Sequence, residues 1–226
     1  MDGEEGRGGY AEGMWAGAPF VLSTAVLGIS FGVLARSSGW GALAPVAFSA
    51  LAFSSSAQFG VAAILGAGGG VIPAVVAAAL FNTRFLPMGV AVGPHLRGGR
   101  VRRALEGQAV VDASWALASR GGGDFDREIL MGATLVQYPA WVGGTLAGVL
   151  GAHVVGDPER LGLDTMSPAF FLALLVGELR GDGRALAVAL LAAALAVSLV
   201  PFAPAGVPVI AACAAALLGL RREGGR

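Results

Sequence analysis

Apolar residues gather in seven long runs, at 18–35, 41–65, 71–93, 129–155, 166–179, 185–202 and 206–220, separated by polar or glycine-rich joints. A helix needs about 20 apolar residues to cross a bilayer, so the pattern predicts an all-α, polytopic membrane protein with about seven transmembrane helices. Several runs are short or interrupted by Gly and Pro, which membranes tolerate where unwound backbone lines a cavity instead of facing lipid. Residues 104–119 are a candidate eighth element. They are few for a span and include Glu106, Gln108 and Asp112, which predicts an interfacial, re-entrant or protein-buried helix. If this stretch crosses, every later element reverses direction. The whole chain, 1–226, reads as one transmembrane domain behind a short acidic tail at 1–15. That tail lacks the basic start of a signal peptide, so the first span is expected to stay in the mature protein.

Composition agrees. The 226 residues are 55% hydrophobic and 13% charged, with a mean hydropathy of +0.72, too few polar groups to cover a soluble globule. The 37 glycines suit helices packing in lipid, where small residues allow close backbone approach. A net charge of zero argues against nucleic acid as a partner. All the basic residues are arginine, and Arg97, Arg100, Arg102, Arg103, Arg120 and Arg127 cluster between the third and fourth runs. The positive-inside rule places that connection in the cytoplasm. On a seven-span path the turn at Arg180–Arg184 and the tail with Arg221, Arg222 and Arg226 fall on the same side, and the acidic N-terminus falls outside. A faint repeat at an offset of 123 positions aligns Gly28 with Gly151 and Pro45 with Pro168, and both copies hold a G-x-x-x-G, at Gly28/Gly32 and Gly144/Gly148. The path makes the copies run in opposite directions, an inverted repeat.

Several polar side chains interrupt the runs. Ser54, Ser55, Ser56 and Gln58 form a cluster followed by the glycines of 66–70. An unpaired hydroxyl or amide in hydrocarbon costs a few kcal/mol. Either the serines bond back to their own helix and Gln58 bridges to a neighbour, or the helix is broken and lines a polar cavity. Arg84, in an otherwise apolar run, marks a functional site or a buried pair, or else snorkels to the interface. Asn82 beside it is a further ligand candidate. Asp112 is the natural counter-charge for Arg84, or a solvated residue on an interfacial helix. Glu178 either pairs with Arg180 at the interface or, by the repeat offset, faces the same cavity. His95 and His153 lack ligand spacing, and the lone Cys213 has no partner, so neither a metal site nor a disulfide is expected. No nucleotide or cofactor fingerprint is present, and no nucleophile, base and orienter stand out as an enzyme would need.

The order "GISFGVLARSSGWG", "FSSSAQFGVAAIL", "ALFNTRFLPMGV", "VVDASWALA" and "LGLDTMSPAFFLALLV" resembles the AzlC family of branched-chain amino acid permeases over nearly the whole chain. The family's motifs fall on Phe53 through Phe59, on Asn82 with Arg84, and on Asp112. Three positions depart from them: Ser55 stands for the usual glycine, Phe85 for a histidine and Ala113 for a glutamate, which removes two titratable groups. The resemblance implies the large subunit of an exporter of valine, leucine and isoleucine, working with a small membrane partner, AzlD. In that setting Ser54, Ser55, Ser56 and Gln58 would hold the substrate carboxylate and Phe59 its aliphatic side chain. Asp112 or Glu178 would face the ammonium or carry the coupling proton, and Arg84 would hold the acid in the empty state. Export driven by the proton gradient is the default for a chain with no ATP site. The alternatives are an uptake permease or channel for another small solute, and a membrane subunit that regulates a partner without transporting.

Overall fold

The computed structural model describes residues 5–121, 123–155 and 183–203, with isolated residues at 172, 175–176, 179, 207–208 and 210–212. Glu178 and most of the expected runs 166–179 and 206–220 lie outside them. The chain divides into two units, Met1–Ser55 with Asn82–Gly156, and Ser56–Phe81 with Asp157–Arg226.

Two long helices frame the first unit. Helix α1, Glu5–Ser37, has 33 residues and α8, Arg127–Val155, has 29, about 50 and 43 Å at 1.5 Å per residue. Both contain a proline, Pro19 and Pro139. They pack through glycine. A Cβ at Gly28 would sit 2.6 Å from the Trp141 carbonyl oxygen, and one at Gly144 would sit 2.5 Å from that of Ala25. Gly32 lies against Thr145 and Gly148 against Ile29 in the same way. The two G-x-x-x-G motifs therefore face each other, and each lets the partner backbone approach where no side chain fits. Further along, Gly13 meets Ile129 and Gly17 meets Ala133. Contacts advance together along both helices, so α1 and α8 run parallel.

This direction corrects the expected topology. The starts of α1 and α8 lie side by side: Arg127 donates to the Tyr10 hydroxyl at 2.7 Å and Gly9 lies against Glu128. The N-terminus thus shares a face with the arginine-bearing connection rather than opposing it. The expectation counted three whole spans ahead of that connection, and it is the count that fails. The two G-x-x-x-G helices run in the same direction, against the inverted arrangement of the seven-span path. The expected tail is also helical from Glu5, because its glycines pack on α8.

The expected second and third spans are both broken. The 41–65 run yields α2, Leu43–Leu51, and α3, Ser55–Gly66; the 71–93 run yields α4, Val71–Asn82, and α5, Phe85–Val92. Helix α2 starts beyond the end of α1. It advances along α8, with the Ser49 hydroxyl 2.8 Å from Thr145 Oγ1, the Tyr138 hydroxyl donating to the Ala50 carbonyl at 2.7 Å, and Phe53 edge-on to Tyr138. Helix α5 continues toward the arginine-bearing end, where Val92 is buried with Val110, Phe125, Ile129 and Leu130. Within this unit the return from the far end to the near end is therefore made by α2 and α5 in succession, as one discontinuous pass. Two separate passes would have left residue 93 at the far end.

The 104–119 stretch resolves into α6, Arg100–Gly107, and α7, Asp112–Ala118. Glu106 meets Arg127 at the start of α8, the Ala109 carbonyl accepts from Thr134, and Ala118 is back beside Asp126. The stretch enters from the arginine-bearing end, turns and leaves at that end. It is re-entrant. Ser114 shapes the turn, accepting from the Val111 amide at 3.3 Å and donating to the Ala109 carbonyl. A two-stranded hairpin, β1 (Ser119–Gly121) and β2 (Asp124–Phe125), which the apolar pattern did not predict, leads to Asp126. Asp126 Oδ1 accepts from the Glu128 and Ile129 amides at 3.0 and 3.1 Å, capping α8.

The second unit contains α3 and α4 joined by a glycine turn in which Gly68 has φ +77°, a conformation that favours glycine. Gly60 of α3 lies against the Phe81 ring of α4, where a Cβ would come within 2.6 Å. Helix α9, Gly183–Leu199, belongs to the same unit and corresponds to the expected 185–202 run. Among the described residues, the Gly9–Ser37 part of α1 alone is long and apolar enough to cross a membrane, and α4 with α5 make a second, broken candidate.

Candidate functional site

Three helix breaks, at 52–54, 83–84 and 108–111, meet in the first unit and are tied pairwise by side chains. The Ser54 hydroxyl donates to Asn82 Oδ1 at 2.6 Å, joining the first break to the second. The Arg84 guanidinium donates to Asp112 Oδ2 at 2.7 Å, joining the second to the third. Gln108 Nε2 donates to the Leu51 carbonyl at 3.3 Å, joining the third back to the first. Each break leaves backbone groups without helical partners, and buried groups of that kind must find others.

A cavity of about 140 Å³ opens at the Arg84–Asp112 pair. Its polar wall holds Thr24, Ser54, Ser55, Arg84, Asp112 and Gln137, and its apolar wall Leu27, Phe53, Phe85, Val111 and Trp141. Thr24 and Leu27 lie near the middle of α1, and Gln137 and Trp141 near the middle of α8, so the cavity sits halfway along both long helices. Its size is near that of the roughly 150 Å³ cavity that accepts a benzene ring. The ion pair is open to it: the Arg84 side chain is 33% exposed and that of Asp112 59%. Arg84 also stacks on the Phe85 ring with its central carbon 5.0 Å from the centroid, and its Nε is buried with no acceptor among the described residues.

A second cavity, of about 250 Å³, shares Phe53, Ser54, Phe85 and Val111 with the first and is otherwise lined by Leu51, Ala52, Asn82, Gly107, Gln108 and Val110. The residues of the sequence reading thus separate. Ser54, Ser55, Arg84 and Asp112 converge on the first cavity, and Asn82 lines the second. Ser56, Gln58 and Phe59 are buried, belong to the other unit and line neither. Arg84 meets the counter-charge expected for it, Asp112, at 2.7 Å. Gln137, 3% exposed with Nε2 donating to the Ala133 carbonyl at 3.2 Å, was missed. It carries the same signal as Gln58, an amide in the middle of an apolar run.

At the arginine-bearing end Glu106 accepts from Arg127, through Nε at 2.9 Å and again through Nη2, from Arg102 Nε at 3.1 Å and from the Arg97 amide at 3.2 Å. The Arg127 guanidinium, ahead of the other donors and against the effect of burial, holds the Glu106 carboxyl down to about 2. Arg127 is correspondingly raised by Glu106 and Tyr10.

Residues 19–155 match the family described as AzlC protein. The chain belongs to the AzlC family. Ser55, Phe85 and Ala113 all line the cavity at Arg84. An inner membrane protein of Escherichia coli strain K12, YgaZ, is 26% identical to this AzlC-family chain over 204 residues, covering 84% of the chain and 82% of its own length. An uncharacterized membrane protein of Archaeoglobus fulgidus is 28% identical over 211 residues, covering 92% and 93%. No solved structure matches.

Proposed function

We propose that this chain is the large subunit of a transporter that carries small neutral, branched-chain amino acids out of the cell, driven by the proton gradient, with a small AzlD-like membrane partner. The observation that carries the reading is the Arg84–Asp112 pair on the wall of a cavity halfway along both long helices. A zwitterionic amino acid presents one carboxylate and one ammonium. Inserted between the two side chains, it replaces one internal ion pair with two, so neither protein charge is left uncompensated on binding. A carboxylate can take the cavity-facing side of the Arg84 guanidinium in the bidentate geometry that group favours. Ser54, Ser55 and Gln137 offer further polar contacts, while Leu27, Phe53 and Trp141 give an aliphatic side chain an apolar surface.

Proton coupling falls to Asp112. With Phe85 and Ala113 standing where the family's motifs have a histidine and a glutamate, Asp112 is the one acid among the residues lining this cavity. Protonating it frees Arg84 to take the substrate carboxylate alone. The arginine-bearing end, with the N-terminus, faces the cytoplasm under the positive-inside rule. The test loads cells with a leucine-containing dipeptide and follows leucine outside, at equal expression of each variant. Arg84→Ala and Asp112→Asn should abolish the efflux that the wild type supports. Undiminished efflux from both would remove the pair from the mechanism.

A further inference from the structure

The second cavity has no role in the reading so far, and its position along α8 suggests one. The re-entrant segment meets α8 at rising levels: Glu106 at Arg127, Ala109 at Thr134, and Asp112 on the cavity that Gln137 and Trp141 line. The wall of the second cavity formed by Gly107, Gln108 and Val110 therefore lies nearer the arginine-bearing end than Asp112, while Leu51 and Ala52, next to the Ala50–Tyr138 bond, line its other side. The two cavities share Phe53, Ser54, Phe85 and Val111 in their linings. Phe53 and Ser54 lie in the first helix break, Val111 in the third, and Phe85 opens α5 just after the second. The breaks are held together by Ser54–Asn82, Arg84–Asp112 and Gln108–Leu51.

The geometry points to a vestibule: the Gln108 cavity is a first, weaker station for the amino acid entering from the arginine-bearing face, closed off from the Arg84–Asp112 station by a gate of Phe53, Phe85 and Val111. This rests on the transport reading above. Among the described residues the vestibule has no charged lining residue; its polar side chains are the amides of Asn82 and Gln108 and the Ser54 hydroxyl. Amides both donate and accept, so they suit a solute that carries both charges and no net charge. They hold it loosely and let it move on. A solute that reaches Arg84 and Asp112 parts one of the three ties that hold the breaks together, so arrival at the inner station and loosening of the gate are one event. Phe53 is the fixed leaf, packed edge-on against Tyr138 at 5.4 Å and tilted against Trp141 at 6.3 Å. Phe85 adjoins the arginine that moves when the pair parts.

Thiol accessibility tests this without assuming the solute. In a Cys213→Ala background, Gly107→Cys places a thiol in the vestibule, where an added Cβ meets nothing within 4 Å, and Thr24→Cys places one in the inner cavity. Inverted vesicles expose the arginine-bearing face to a membrane-impermeant cationic thiol reagent. Gly107→Cys should react quickly whatever the state of the gate. Thr24→Cys should react slowly, become several-fold faster when Phe85→Ala and Val111→Ala are added, and slow further with Val111→Phe. The opposing changes keep the result readable if the truncated pair folds poorly. Rapid labelling of Thr24→Cys with the gate intact, or a rate indifferent to all these substitutions, overturns the gate. Leucine counterflow in the same vesicles reports separately: absent flux with the labelling pattern intact would count against leucine transport and leave the vestibule standing.

Discussion

Glu106 shows what one side chain does at the end of this bundle. It gathers the start of α8, the first turn of α6 and the loop at Arg97, and with Arg127 bonded to Tyr10 it also reaches α1. Its carboxyl is held near 2 against an ordinary 4.5, so it contributes stability that is present above the ordinary value and lost as pH falls through 2. Thermal unfolding of wild type and Glu106→Gln in detergent should differ most at neutral pH and converge between pH 4.5 and 2. A constant difference down to pH 2 would show that the carboxylate's charge is not what holds these elements. Legibility at this scale followed chemistry. A guanidinium inside an apolar run announced itself, and its counter-charge was the acid of a weakly apolar stretch, so Arg84 and Asp112 could be paired on paper. Gln137 escaped because its run is long enough to pass as an ordinary span. Gln58 drew attention for the same chemical reason, yet it lines neither cavity.

At the scale of elements, the glycine seam between α1 and α8 decides the fold. Gly144 meets the Ala25 carbonyl, whereas its neighbour Gly143 faces open space. Gly144→Ala should therefore lower stability by about 1–3 kcal/mol through overpacking. Gly143→Ala should leave it unchanged or raise it by about 0.5–1 kcal/mol, from helix propensity alone. Denaturant titration in mild detergent, followed by tryptophan fluorescence, compares them; equal losses would mean that the seam is not close-packed. The G-x-x-x-G motifs were visible in the sequence, but not that they face one another. The breaks at 52–54 and 83–84 were half visible. The serine cluster foretold a discontinuity at the first. Nothing in the periodicity distinguishes two whole spans from four half-length helices, since each half remains apolar.

For the whole molecule, direction follows from counting passes, so one misread break reverses everything after it. The parallel α1 and α8 put both their starts at the arginine-bearing end. A fluorescent protein that matures only in the cytoplasm, fused ahead of residue 1, should fluoresce as brightly as one inserted at Gly98–Gly99. A dark N-terminal fusion at normal expression would overturn the parallel pair as the membrane arrangement. The exposed apolar side chains of α2 and α5, among them Leu43, Leu86 and Val90, are what a lipid-facing surface requires.

The divided pass formed by α2 and α5 bears on how the chain is made. Its halves have 9 and 8 residues, each below the roughly 20 that a lone hydrophobic segment needs to partition into lipid, and an entire helical hairpin is synthesised between them. The ribosome delivers the first half well before the second exists. A pass divided in this way stays incomplete until α5 has been made, after the whole intervening hairpin.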